Sequence, residues 1–356
     1  MKKYNFFAGP AILPQEVLMK SAEAIKDFAG MGLSILEISH RTPQFTDVMD
    51  RAVNGAKKLL NIPDTHEVLF LTGGASTQFY MAAMNLLDSD QKAGYINTGT
   101  WSKKAIKEAK LFGEINEVAS SSDKNFNYIP KGYSIPSDLR YLHFTSNNTI
   151  FGTQFFSAPE TDTPLICDMS SDVFSRPVDV SKYMMIYAGA QKNMGPAGTT
   201  LVIINKEELG KVKRTIPTML DYNTHIEKGS SFNTPPVFPI YVSMLTMEWI
   251  EAQGGVAAMA KKNEEKGAIL YNEIDRNPLF KGTVAAEDRS LMNISFLLND
   301  NSKEEEFMNL ATEAGCLGIK GHRSVGGFRA STYNAMSKEG IEVLVSVMKR
   351  FEEKYG

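Results

Sequence analysis

Cysteine is scarce: Cys167 and Cys316 are the two among 356 residues. A secreted disulfide scaffold carries more, so a reducing compartment, the cytoplasm, is expected. No stretch of eighteen apolar residues occurs, which leaves no helix to cross a bilayer. Lys2 and Lys3 are not followed by a long apolar run, so the first ten residues do not read as a signal peptide. Basic residues never cluster in runs of five or six. With 38 basic and 41 acidic side chains the net charge is near −3, which gives no electrostatic reason to expect nucleic acid or an anionic membrane surface. Internal repeats and long low-complexity tracts are also missing.

What is present is a globular composition, 43% hydrophobic and 22% charged. Its length suits one large domain with a smaller one. Apolar spacing predicts helices over Pro14 to Phe28 and Gln44 to Leu60. Alternation follows: strands at Val68 to Leu71, Ala93 to Asn97 and Glu114 to Ala119, with helices at Ala75 to Leu87 and Trp101 to Phe112. Ser34 to Ile38 is also strand-like. Ser120 to Arg140, rich in Ser, Asp, Asn and Pro, reads as a surface excursion. Strands resume at Tyr141 to Thr145, Leu165 to Asp168, Met184 to Ala188 and Thr200 to Ile204. Interleaved strands and helices imply an α/β fold, a mostly parallel central sheet flanked by helices. Helical periodicity from Pro239 to about Asn277 breaks at Gly254-Gly255. Beyond it, strands near Met292 to Leu298 and Phe328 to Ser331 and helices at Lys303 to Ala314 and Ser337 to Glu353 suit a smaller α+β domain. The expected division is 1–255 and 256–356.

Four segments carry chemistry. Thr72-Gly73-Gly74-Ala75-Ser76-Thr77 lies between a strand and a helix, where unpaired amides and the helix dipole can cradle a phosphate. It is neither a Walker loop nor G-x-G-x-x-G, and a tight turn alone would also explain it. Asp168 closes an apolar strand, where open α/β sheets keep ligands. A lone Asp there can equally be a helix cap. Lys192 sits in Gly189-Ala190-Gln191-Lys192-Asn193-Met194-Gly195, after one strand and before another. Most lysines are solvated, but burial here would depress the pKa and make the amine nucleophilic. Gly321-His322-Arg323-Ser324-Val325-Gly326-Gly327-Phe328-Arg329-Ala330-Ser331 and His40-Arg41 supply basic side chains, and arginine forks match carboxylates and phosphates. Surface salt bridges are the plainer alternative for each. A lysine and an acid at the ends of consecutive strands meet the needs of pyridoxal 5'-phosphate chemistry: the amine holds the aldehyde and the acid keeps the pyridine nitrogen protonated. Metal ligands play no part in this reading.

These segments, with Asn5-Phe6-Phe7-Ala8-Gly9-Pro10, Ser39-His40-Arg41, Asn147-Asn148-Thr149-Ile150-Phe151-Gly152-Thr153-Gln154 and Phe232-Asn233-Thr234-Pro235-Pro236, occur in an order that resembles the phosphoserine aminotransferase family. That family has the fold-type I architecture of pyridoxal-phosphate enzymes, and the likeness spans essentially the whole chain. The resemblance implies that Lys192 is the Schiff-base lysine, that Asp168 partners the pyridine nitrogen, and that Trp101 stacks on the ring. Ala75, Ser76 and Gln191 would donate to the cofactor phosphate, and Thr149 would contact the phenolic side of the ring. Asn233 and Thr234 would reach the phosphate from a neighbouring subunit. Arg329 would anchor the substrate α-carboxylate. His322 and Arg323, with His40 and Arg41 crossing from a partner chain, would bind the distal phosphate or carboxylate.

The implied assembly is a homodimer. The implied reaction exchanges an amino group between L-glutamate and 3-phosphohydroxypyruvate, giving 2-oxoglutarate and O-phospho-L-serine. This serves serine biosynthesis and, for some relatives, pyridoxine biosynthesis.

Three rival readings are weaker. A cysteine desulfurase needs a reactive thiol in a mobile loop, and Cys316 sits in an apolar one. A nicotinamide dehydrogenase needs the missing dinucleotide fingerprint. A non-catalytic phospholigand binder has no use for Lys192.

Overall fold

The computed structural model describes residues 2–356. It begins with β1 (Tyr4–Asn5), α1 (Gln15–Lys26), α2 (Pro43–Leu60), β2 (His66–Leu71), α3 (Gly74–Leu86), β3 (Lys92–Asn97) and α4 (Thr100–Ala109). There follow β4 (Glu114–Ser120), β5 (Leu139–Thr145), β6 (Leu165–Asp168), β7 (Tyr183–Gly189), β8 (Thr200–Asn205), α5 (Tyr222–Glu227), α6 (Val237–Ala252) and α7 (Gly255–Arg276). The last elements are β9 (Phe280–Gly282), β10 (Asn293–Leu298), α8 (Glu304–Glu313), β11 (Cys316–Leu317), β12 (Phe328–Ser331) and α9 (Lys338–Tyr355).

Seven strands form the central sheet in the order β2-β8-β7-β6-β5-β3-β4. All run parallel except β8, which is antiparallel to both β2 and β7. Antiparallel neighbours need no long crossover, so a short loop carrying Lys192 suffices between β7 and β8. Central strands buried on both faces must be apolar throughout, and Tyr183 to Gly189 is buried at every position. One face packs under α2 and α6, with Val48, Ala52, Ala56 and Met244 in a shared core. The opposite face packs under α3 and α4 through Phe79, Ala83, Ala105 and Ile106. Thr42 caps α2, accepting from the Phe45 amide, and Pro43 opens the helix where its missing N–H costs nothing.

A second core joins β9, β10, β12, α8 and α9 around Phe296, Phe307 and Phe351. Tyr4 and Phe6 belong to it, because β1 pairs in parallel with β11. The helix α7 runs between the two cores: Met259 lies in the first and Leu270 and Ile274 in the second.

The strand expected at Ser34 to Ile38 is instead a turn. The Glu37 amide donates to the Ser34 carbonyl at 2.9 Å, and the Leu36 amide donates to Ser34 Oγ at 3.2 Å. A hydroxyl that satisfies nearby backbone amides competes with a strand ladder.

His143, on β5, is buried within the sheet. Its ring stacks on Tyr95 at 4.7 Å, and Nε2 lies 2.8 Å from the Tyr187 hydroxyl. Burial pulls its pKa from 6.5 down to about 3. A depressed histidine contributes fully above its unfolded pKa. That contribution is lost as pH falls from 6.5 toward 3, because the unfolded chain takes the proton first. His143→Gln should therefore lose about 2 kcal/mol less than the parent between pH 7.5 and pH 5. Urea unfolding at the two pH values measures this, and parallel losses in both proteins would refute it.

Candidate active site

The carboxyl ends of β2, β3, β5, β6 and β7 converge. After β2, Gly73 caps α3 with φ 93° and no side-chain cap bond. A Cβ there would meet Thr77 Oγ1 at 1.9 Å, so glycine is required. The first-turn amides of this 13-residue helix, those of Ala75 and Ser76 among them, are left for an anion. Ala75 is half-buried and Ser76 exposed.

After β3, Gly99 leads into α4 and Trp101. A Cβ on Gly99 would strike Asn148 Nδ2 at 2.2 Å. That amide donates to the Thr98 carbonyl at 2.7 Å, tying the loop after β5 to the start of α4. Trp101 Nε1 then donates to Thr149 Oγ1 at 3.0 Å.

Asp168 ends β6 and is 4% exposed. Oδ1 accepts from both the amide and the hydroxyl of Ser170, at 2.9 and 2.6 Å. Among the described residues Oδ2 has no hydrogen-bond donor. Burial raises the Asp168 pKa, and the Lys192 ammonium and the Ser170 bonds oppose the rise.

Lys192 follows β7. Its side chain opens onto the cleft, but its ammonium is enclosed by protein, and lost hydration lowers its pKa. The Asp168 carboxylate counters that fall, while Arg329 adds to it. Nζ lies 5.1 Å from the centre of the Trp101 ring. Gln191, beside it, accepts from the Ala11 amide through its backbone carbonyl at 2.9 Å.

Arg329, on β12, enters from the second core. It donates to the Thr149 carbonyl at 2.8 Å, and its buried Nε has no partner among the described residues. The structure thus gathers Asp168, Lys192, Trp101, Thr149 and Arg329. Next to them, His322 and Arg323 occupy a turn closed by Val325 and Gly326 amides donating to the His322 carbonyl, both at 2.9 Å. Val325 packs with Trp101 against Phe126, Ile150 and Phe151. Burial, and then the nearby Arg329 and Arg323, lower the His322 pKa.

Two expected pairs do not join this group within the chain. His40 and Arg41 precede α2, half-buried and exposed respectively, and neither hydrogen-bonds to the cluster. Thr234 is exposed, while Asn233 borders a small cavity that Thr72, Gly73 and Thr77 also line.

Three contributors were missed by the motifs. Ser170 fixes the Asp168 carboxylate, a role foreshadowed by a serine two positions beyond a strand-end aspartate. Asp172 is a second buried carboxylate, bonded by Ser146 and Gln154 and 3.4 Å from Arg176. Asn193 binds the backbone on either side of the site, and nothing in its local sequence marked it.

The class-V aminotransferase family model matches residues 3–344. A phosphoserine aminotransferase of Parabacteroides distasonis is 59% identical, with all of both chains covered. The solved phosphoserine aminotransferase of Bacillus circulans subsp. alkalophilus has a TM-score of 0.96 at 43% identity, covering 100% of this chain and 99% of that one. The pyridoxal-phosphate-bound phosphoserine aminotransferase of Trichomonas vaginalis has a TM-score of 0.93 at 38% identity, covering 98% and 100%. The chain therefore belongs to the class-V aminotransferases, within the phosphoserine aminotransferase family.

Proposed function

We infer that the protein is a pyridoxal-phosphate-dependent phosphoserine aminotransferase. It moves an amino group reversibly between L-glutamate and 3-phosphohydroxypyruvate, yielding 2-oxoglutarate and O-phospho-L-serine. The observation that carries this reading is the meeting of Asp168, Lys192, Trp101 and Arg329 in one cleft. The fit to the cofactor rests on two features: a buried carboxylate with one oxygen uncommitted, and an open helix start across the same cleft.

When bound, pyridoxal phosphate supplies an electron sink for the pair released as Cα loses its proton. The Asp168 carboxylate holds the proton on the ring nitrogen. Lys192 holds the aldehyde at rest and, once displaced, carries the proton from Cα, a task suited to an amine whose pKa burial has lowered. Trp101 covers the ring, with Thr149 fixing the indole. Amides at Ala75 and Ser76, with the Ser76 hydroxyl and Gln191, take the phosphate. Arg329 takes the α-carboxylate of either amino donor. His322 and Arg323 take the distal phosphate or carboxylate, joined by His40 and Arg41 of the partner subunit; Asn233 and Thr234 of the partner subunit complete the cofactor phosphate site. His40, Arg41 and Thr234 lie apart from the cluster in their own chain, which a homodimer with shared sites explains.

The division near residue 255 places the large cofactor domain before α7, with β1 returning to the smaller one. The enzyme serves serine biosynthesis, with pyridoxine biosynthesis as a further role, in the cytoplasm. No helix among the described residues is long and apolar enough to cross a membrane.

Purified protein should show a visible cofactor band that bleaches on addition of phosphoserine and returns with 2-oxoglutarate. Borohydride should then fix the cofactor to Lys192 in a peptide map. Label on another residue, or formation of pyruvate in place of a keto acid that keeps its phosphate, would overturn the reading.

A further inference from the structure

Lys266 is 3% exposed, on the inner face of α7. Among the described residues no carboxylate lies within ion-pair distance of it. Its amine donates instead to two backbone carbonyls, Thr332 at 3.0 Å and Tyr333 at 2.8 Å. An ammonium buried without a counter-ion costs the fold stability, and an apolar chain of similar length would fill the space at less cost. The lysine is thus explained poorly by stability and better by what it holds.

It holds the segment that immediately follows β12, the strand of Arg329. The same segment is gripped on its other sides. The Thr332 amide donates to the Met292 carbonyl at 2.8 Å, and the Tyr333 hydroxyl donates to the Ala8 carbonyl at 2.7 Å. Asn263, one helical turn before Lys266, donates to Asn334 Oδ1 at 2.8 Å, and the Asn334 amide donates to Asn193 Oδ1 at 2.9 Å. The Tyr333 carbonyl also accepts from the Met336 amide at 2.8 Å, while among the described residues the Thr332 carbonyl is held by Lys266 alone.

We propose that Lys266 is a positioning residue for Arg329: by clasping the Thr332 and Tyr333 carbonyls it fixes the strand end that presents the guanidinium to the cleft, and so sets the affinity for the carboxylate common to both amino donors. This rests on the reading of Arg329 as the carboxylate anchor. The clasp works in either protonation state, since a neutral amine still has two N–H donors for two carbonyls. That matters because burial pulls the Lys266 pKa down to about 7. Lys192 and Asp168 are held by the central sheet, through bonds such as Ala190 amide to Thr199 carbonyl at 3.1 Å, and the segment's tie to the lysine loop, Asn334 amide to Asn193 Oδ1, is made without Lys266, so the Lys266 change should leave both in place.

Lys266→Met keeps the bulk and removes both donors. In the holoenzyme it should raise KM for phosphoserine and for glutamate by one common factor, about tenfold, with kcat within about twofold. Binding of glutarate, a non-reacting dicarboxylate, should weaken equally by calorimetry, while the resting cofactor spectrum stays unchanged. Asn263→Ala, which loosens the same segment at Asn334, should give the same pattern more weakly and serves if the methionine variant does not fold. Unchanged KM values, a rise for one donor alone, or a shifted resting spectrum would overturn the proposal. Arg329→Gln separates the two levels. If it spares either donor, the anchor reading fails; if it weakens both and the Lys266 and Asn263 variants do not, the clasp alone fails.

Discussion

Lys192→Ala protein should fold, bind pyridoxal phosphate noncovalently and turn over at least about 10⁴-fold more slowly than the parent. The size of the loss follows from two tasks in one amine. In the proposed mechanism it holds the aldehyde, and it is the basic group coupled to both Asp168 and Arg329 that would take the Cα proton. Asp172, also buried, is already engaged by Ser146, Gln154 and Arg176 and has no spare reach. Folding should survive, because among the described residues the ammonium makes no hydrogen bond and its enclosure lowers its pKa by lost hydration. Added methylamine should restore part of the rate if the missing function is proton transfer. Single-turnover rates within about tenfold of the parent would remove Lys192 from the mechanism.

Asp168→Asn should cut kcat by about 10²- to 10³-fold, an electrostatic loss of the kind seen when one preorganised partner of developing charge is removed. The amide oxygen can still accept from the Ser170 amide and hydroxyl, now at 2.9 and 2.6 Å from Oδ1. Local geometry should therefore persist, and a neutral side chain is cheaper to bury than a carboxylate. What disappears is the negative charge that, in the proposed mechanism, keeps the ring nitrogen protonated. The thermal transition should stay level or rise while activity falls. A variant that loses both together would show that Asp168 is a structural residue.

Much of this site was legible before the fold. Leu165 to Asp168 ends where its apolar run ends, so the exit that carries Asp168 could be placed from hydrophobic pattern alone. Glycines and a lysine between two apolar strands marked the Lys192 loop. The rest depended on information that local sequence does not hold. The reversed direction of β8 is a property of its pairing with β2 and β7, invisible in Thr200 to Ile204 itself. Two-residue strands such as β1 and β11 have no periodicity to detect. Ser34 to Ile38 alternates like a strand, but its serine hydroxyl found backbone amides before any neighbour could. Lys266 sits on a helix whose other lysines face water, so its burial appears only when β12 arrives. Asp168, Lys192, Trp101, Thr149 and Arg329 meet in three dimensions; His40, Arg41 and Thr234 do not hydrogen-bond to that group within the chain.

The pairing of β1 with β11 has a consequence for the order of assembly. Tyr4 finds its partner more than three hundred positions downstream, at Cys316, and the residues just after it brace the Lys192 loop through Ala11. On the ribosome those residues emerge long before either contact exists. The cleft therefore closes among the last events of synthesis, after a loop of near-maximal length has been drawn shut, at an entropic cost that grows slowly with length but delays the contact. A nascent chain stalled before residue 316 should carry a formed central sheet and still lack a finished catalytic centre.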